Sequence, residues 1–243
     1  MCRFLTTLVM CIAVNICFTH ALAKDLPTLN VVTEDWPPYN YLDGEGKVVG
    51  TATARVKRIL QLANVNYSIN LLPWARAYNA AISQPNTLIY SIYRTKERET
   101  LFHWFCPLSP KSDFFAYALS ERTISIKSDE ELTHFSVAVS RNEVEHIYLN
   151  NIGFKEGKNL YISAEDESSL DHVLNRKVDL FIESQESIET RLKKRSLPNH
   201  IVVPVYKLNL EQAQHCFAFS KGTSPEVLKR TQDAFNQLNN SKN

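Results

Sequence analysis

From Thr28 onward the sequence alternates β-branched runs with amphipathic stretches, and it does so in two successive rounds. TLNVVT at 28–33 has strand character and leads into the turn-rich EDWPPYNYLDGEGK, where Pro37 and Pro38 forbid regular structure. Residues 51–63 form an amphipathic helix with Ile59, Leu60 and Leu62 inward and Arg55, Lys57 and Arg58 outward. A strand at 67–72, a helix at 74–82 and a strand at 87–93 follow, ending in the charged turn RTKERE. After Pro110 the alternation restarts: FFAYALS, SVAVS (136–140), a helix over 143–151 closed near Gly153, a short strand at 160–162, the helix of SSLDHVLN, the strand VDLFIE, the helix of SIETRLKKR and the strand IVVPVY. QAQHCFAFSKG then gives a returning strand, and Pro225 opens a last helix running to about Leu238. Such alternation belongs to α/β chains, here with two units.

The first 23 residues read as a signal peptide: Arg3, an apolar stretch from Leu5 to Phe18, and small residues at Ala21 and Ala23 before the expected cleavage. The exported chain is then expected in the periplasm as a monomer. It keeps Cys106 and Cys216, for which export permits a disulfide, while two buried thiols remain the alternative. No CxxC or HExxH spacing is present, so no metal or other cofactor is expected. With 27 Lys and Arg against 26 Asp and Glu, the chain has no general positive field for nucleic acid.

The segments TEDWPPYNYLDGEGKVVG, PWARA, SIYRTKERETLFHWFCPL, KVDLFIES and CFAFSKGTSPEV, in that order, resemble bacterial extracellular solute-binding proteins of family 3 over almost the whole exported chain. The resemblance implies a type II periplasmic binding protein fold: two Rossmann-like α/β lobes joined by two crossing hinge strands. It places lobe 1 at 24–110 plus 208–243 and lobe 2 at 111–207. It also implies capture of a small polar ligand, an amino acid or related carboxylate, and delivery to the membrane subunits of an ABC importer, or alternatively presentation to a membrane receptor.

Arg98 matches the family arginine that grips the ligand's α-carboxylate, a task suited to a planar guanidinium with two parallel donors. Trp36 and Trp74 fall where relatives place aromatic residues around the ligand, with Tyr39 on the same proline-rich loop as Trp36, and Ser91 matches a strand-end contact. In the second lobe Glu183 stands next to the family's ammonium-binding acid. Arg141 replaces part of a Gly-Thr pair at a helix start, where free N–H groups favour anions. Together with Arg94, these arginines predict an anionic or zwitterionic ligand. A hydrolyase on the same fold is the further and less favoured alternative, and no enzyme is expected: there is no G-x-S-x-G elbow and no Cys-His spacing, and the acidic run Glu165-Asp166-Glu167 reads as the complement of a helix N-terminus.

Overall fold

A computed structural model describes residues 26–163, 168–210 and 214–240. The proposed signal peptide and the run at 165–167 lie outside the described residues. Lobe 1 contains β1 (Leu29–Thr33), β2 (Tyr41–Leu42), β3 (Val48–Val49), α1 (Thr51–Leu62), β4 (Tyr67–Leu71), α2 (Trp74–Ser83), β5 (Thr87–Arg94) and β6 (Phe102–Phe105). Lobe 2 follows with β7 (Phe114–Leu119), α3 (Asp129–Leu132), β8 (Val137–Ser140), α4 (Val144–Asn151), β9 (Leu160–Ser163), α5 (Ser168–Leu174), β10 (Leu180–Ser184), α6 (Gln185–Lys194) and β11 (Val202–Lys207). The chain then re-enters lobe 1 as β12 (Gln214–Ser220) and ends in α7 (Pro225–Asn240).

Each lobe is a five-stranded sheet between helices. In lobe 1 the order is β4-β1-β5-β12-β6, with β4, β1 and β5 parallel and β12 antiparallel to both its neighbours. The two-residue period of a strand splits its side chains between two cores. Leu29, Val31, Leu88, Phe217 and Phe219 pack with Ile59 of α1 and Phe235 of α7. Val32, Ile89 and Ala218 face the other way, onto Trp74 and Ala77 of α2. Lobe 2 repeats the scheme in the order β11-β7-β10-β8-β9. Val137, Val139 and Ile182 face α4, whereas Ala138 and Phe181 face α5 and α6.

The sequence reading missed three pieces, and each has a physical reason. The β6 run FHWF has no local turn partner; it pairs with β12, more than a hundred residues further on. The β2–β3 hairpin has only two residues per strand, and α3 is a single turn capped by Ser128. Neither is long enough to show a period.

Of the two alternatives for the cysteines, the structure shows the bridge: Cys106 and Cys216 are joined, with Cα atoms 4.6 Å apart. Cys106 lies one residue past the end of β6 and Cys216 sits within β12, so the bond ties together the segments that leave and re-enter lobe 1. A crosslink spanning so long a loop removes considerable entropy from the unfolded chain. We expect the Cys106→Ser/Cys216→Ser double variant to lose about 2–5 kcal/mol of stability, read from the urea midpoint, with its far-ultraviolet circular dichroism unchanged because the β5-β12-β6 ladder does not need the bond.

Candidate functional site

The cleft between the lobes is built from strand ends and the loops that follow them. β1 delivers Glu34 and Trp36 into a tight loop in which Trp36 N donates to Asn40 O and Asn40 N donates to Trp36 O. The N-terminus of α1 clamps this loop from behind, since Ala52 N donates to Tyr39 O at 3.0 Å. Gly50 makes the approach possible: its φ is +122°, and a Cβ there would stand 2.3 Å from Tyr39 O. Asn40 locks the other side, donating from Nδ2 to Glu34 O and accepting from the Ser91 hydroxyl. Ser91 itself is an unpaired residue in β5, where the register with β12 shifts, and its φ is +61°. That bulge turns a buried hydroxyl out of the ladder and onto the wall of the cleft.

Side chains of both lobes meet here. Trp36 Nε1 donates to Glu183 Oε1 at 3.2 Å. Glu183 also accepts from Ser184 N, and its second oxygen lies 3.1 Å from Arg191 Nε. Arg191, on α6 and 4% exposed, reaches across to donate to Asp35 O at 2.7 Å. Ser184 points away from the cleft and caps α6, in keeping with strand alternation. The space enclosed is small, about 40 Å³. Its walls carry aromatic side chains (Trp36, Tyr93, Phe114 and Phe181), and its polar lining combines the carboxylates of Glu34, Glu143, Glu145 and Glu183 with Ser91, Ser140, Ser169 and Arg191.

Arg98 lies just behind this wall, 1% exposed. Nη1 donates to Tyr93 O at 2.9 Å and Nη2 to Asn142 O of lobe 2. The guanidinium carbon is 5.4 Å from the Trp74 ring centre and 5.2 Å from that of Tyr78, within cation–π range. Burial pulls the Arg98 guanidinium below its ordinary range, and the carboxylates of Glu143, Glu145 and Glu34 oppose that pull. Trp74 is therefore part of the lobe-1 packing that supports Arg98, rather than a wall of the cavity.

The structure separates the residues expected to act together. Trp36, Ser91 and Glu183 line the cavity, Tyr39 packs against Trp36 with ring centres 4.5 Å apart and planes tilted by 48°, and Arg98 stands behind Tyr93. Arg94 and Arg141 are elsewhere: each forms an exposed ion pair within its own lobe, with Glu99 and Glu156 respectively. The helix start expected to receive an anion is occupied by acids, for Glu143 is the N-cap of α4 and Glu145 lies in its first turn. Sequence reasoning missed Arg191 and the carboxylates of Glu34, Glu143 and Glu145. The spacing of eight between Glu183 and Arg191, from a strand end to two turns along the following helix, was the available signal for one of them.

His215 packs edge-on against Trp36 at 5.3 Å, with Nδ1 on the Ser109 hydroxyl. Burial pushes it down to about 4. Between the ordinary imidazole value near 6.5 and pH 4 the unfolded chain takes up a proton that the folded chain refuses, so stability falls as the pH drops through that window. The loss should reach about 3 kcal/mol at pH 4. Urea unfolding at pH 7.5 and 4.5 should show it, and His215→Gln should remove that part of the slope.

The family model for bacterial extracellular solute-binding proteins, family 3, matches residues 29–243. Among solved structures, a histidine kinase sensor domain with similarity to periplasmic binding proteins superposes with a TM-score of 0.75 at 20% identity, covering 88% of this chain and 91% of that one. An ancestral arginine-binding protein bound to arginine gives 0.75 at 20% identity, covering 88% and 92%. The arginine-, lysine-, histidine-binding protein ArtJ from Geobacillus stearothermophilus gives 0.73 at 16% identity, covering 88% and 90%. These likenesses establish the two-lobed fold. No curated protein matches the chain by sequence.

Proposed function

The chain belongs to the bacterial extracellular solute-binding proteins of family 3, and from that premise we propose that it captures a small polar solute between its lobes in the periplasm and presents the closed form to a membrane partner, an ABC importer in the first instance. The observation that carries this reading is the convergence of bonds from both lobes on one aromatic-walled cavity: Trp36 to Glu183, and Arg191 to Asp35 O. A cavity of about 40 Å³ holds about three waters. A solute enters only if the lobes part, and it favours the closed form only if both lobes touch it. Trp36 and Ser91 from lobe 1, and Glu183 from lobe 2, are placed for those contacts; Arg98 couples the lobes through Asn142 O.

A second reading is sensing rather than transport. The superposed kinase sensor domain has the same fold, and a closed lobe pair serves a receptor as well as a permease. The two readings differ in the expected genetic neighbourhood: permease and ATPase genes for uptake, a kinase gene for sensing.

The test is a thermal-shift screen of the exported chain, unfolded and refolded to strip bound solute, against amino acids, amines and organic acids, with small-angle scattering on any hit. The expected outcome is a concentration-dependent rise in melting temperature and a smaller radius of gyration, both weakened by Trp36→Ala. A chain stabilised by no member of the panel and unchanged in scattering overturns the proposal.

A further inference from the structure

Arg191 takes part in a circuit of contacts that runs twice across the cleft. Its Nη2 donates to Asp35 O of lobe 1 at 2.7 Å, while its Nε lies 3.1 Å from Glu183 Oε2 and donates to the Ser187 hydroxyl at 3.3 Å. Glu183 returns the circuit to lobe 1 through Oε1, which accepts from Trp36 Nε1 at 3.2 Å. Asp35 and Trp36 are neighbours in the chain, so both crossings land on one short segment. Rigid elements stand on either side. On lobe 2, α6 starts directly after β10, Ser184 caps it, and Ile188 and Leu192 anchor it in the core with Val178 and Phe181. The four-residue spacing of Ser187 and Arg191 puts both on one face of that helix. On lobe 1, the loop holding Asp35 and Trp36 is fixed by Ala52 N on Tyr39 O and by Asn40 Nδ2 on Glu34 O. What can still vary is the separation of the lobes, and the circuit is complete at one separation.

Each crossing has a protein donor and a protein acceptor, so neither needs a solute to complete it. The crossing to Asp35 O is charge-assisted, the stronger kind of hydrogen bond, and the side chain that makes it is 4% exposed. Trp36 extends the contact into apolar surface, packing with Phe114 and Ile182 of lobe 2. Opening strands no ion. Glu183 and Arg191 both belong to lobe 2 and stay paired when the lobes part, so the circuit breaks and re-forms without leaving one charge alone in a dehydrated site. The guanidinium matters as well as its charge, because Nε and Nη2 serve different partners from one rigid plane. A lysine ammonium, a compact point charge on a flexible stem, does not reproduce that fork.

We infer that Arg191 is a positioning residue for solute capture, a latch from α6 to Asp35 O that sets how much of the exported chain is closed before any solute arrives. The inference rests on the reading that the lobes part around a solute. Two variants test it on the full exported chain, stripped of solute by unfolding and refolding. Arg191→Lys keeps a positive charge beside Glu183 but loses the fork, and Glu183→Gln/Arg191→Met removes both charges together so that neither is left unpaired. Small-angle scattering of the stripped chain should give a larger radius of gyration for both variants than for the unaltered protein, with far-ultraviolet circular dichroism unchanged. Because apparent affinity scales with the closed fraction, Arg191→Lys should weaken every solute found in the thermal-shift screen by one common factor, about fivefold. Saturating solute should return that variant to the compact radius. Variants no larger than the unaltered chain overturn the latch while leaving solute capture intact. Arg191→Lys losing one solute and binding the others normally also overturns it, since that is the mark of a direct contact. The scattering comparison needs no solute, so an expansion seen in a chain that binds nothing in the panel supports the latch and overturns capture.

Discussion

Taking a guanidinium out of water costs several kcal/mol unless new partners replace the lost water, and the partners of the two Arg98 Nη groups draw the two lobes together, while Nε has no hydrogen-bond partner in the structure. One carbonyl comes from the end of β5 and one from the turn before α4; the aromatic faces come from α2, and the opposing carboxylates from both lobes. None of these groups is near Arg98 in sequence except Tyr93. Carbonyls of both lobes hold this residue, so the same contacts that border the cleft fix the guanidinium behind its wall. Asn142 shares the burden: its φ of +63° is a conformation asparagine tolerates better than most residues.

The lobe-1 wall rests on a different device. Two local irregularities, the Gly50 approach behind Tyr39 and the Ser91 bulge in β5, both end on the loop from Glu34 to Asn40. Trp36 and Glu34 are thereby fixed by a backbone contact from α1 and by the Ser91 and Asn40 side chains on the β5 side. Lobe 2 does the corresponding work with regular geometry: the last turn of pleat in β10 puts Glu183 into the cleft and Ser184 under the helix it caps.

Most of the fold was legible because its elements carry their own period. Val31 and Val32 on opposite faces, the α1 stripe and Pro225 at the start of α7 are local signals. β6 was not legible, since its justification is β12, and the disulfide was undecidable for the same reason. The site was half legible. Likeness puts Trp36, Ser91 and Glu183 at the cleft, and the structure has them in its lining, but the lining by Glu34, Glu143 and Glu145 depends on which side chains turn inward and has no local signal. Arg94 and Arg141 turn to Glu99 and Glu156 instead, and Glu143 and Glu145, which look like ordinary complements of a helix dipole, line the cavity.

The Cys106–Cys216 bond has one more consequence, a mechanical one. Between these residues the chain makes the whole of the lobe-2 sheet, whereas both flanking parts belong to lobe 1. A pull applied to the two ends of the described chain passes along β6, crosses the sulfur bridge and leaves through β12 and α7, so lobe 2 hangs outside the load path. Likewise a single backbone cut anywhere within lobe 2 leaves one covalent molecule, with the severed lobe tethered on both sides until the bridge is reduced.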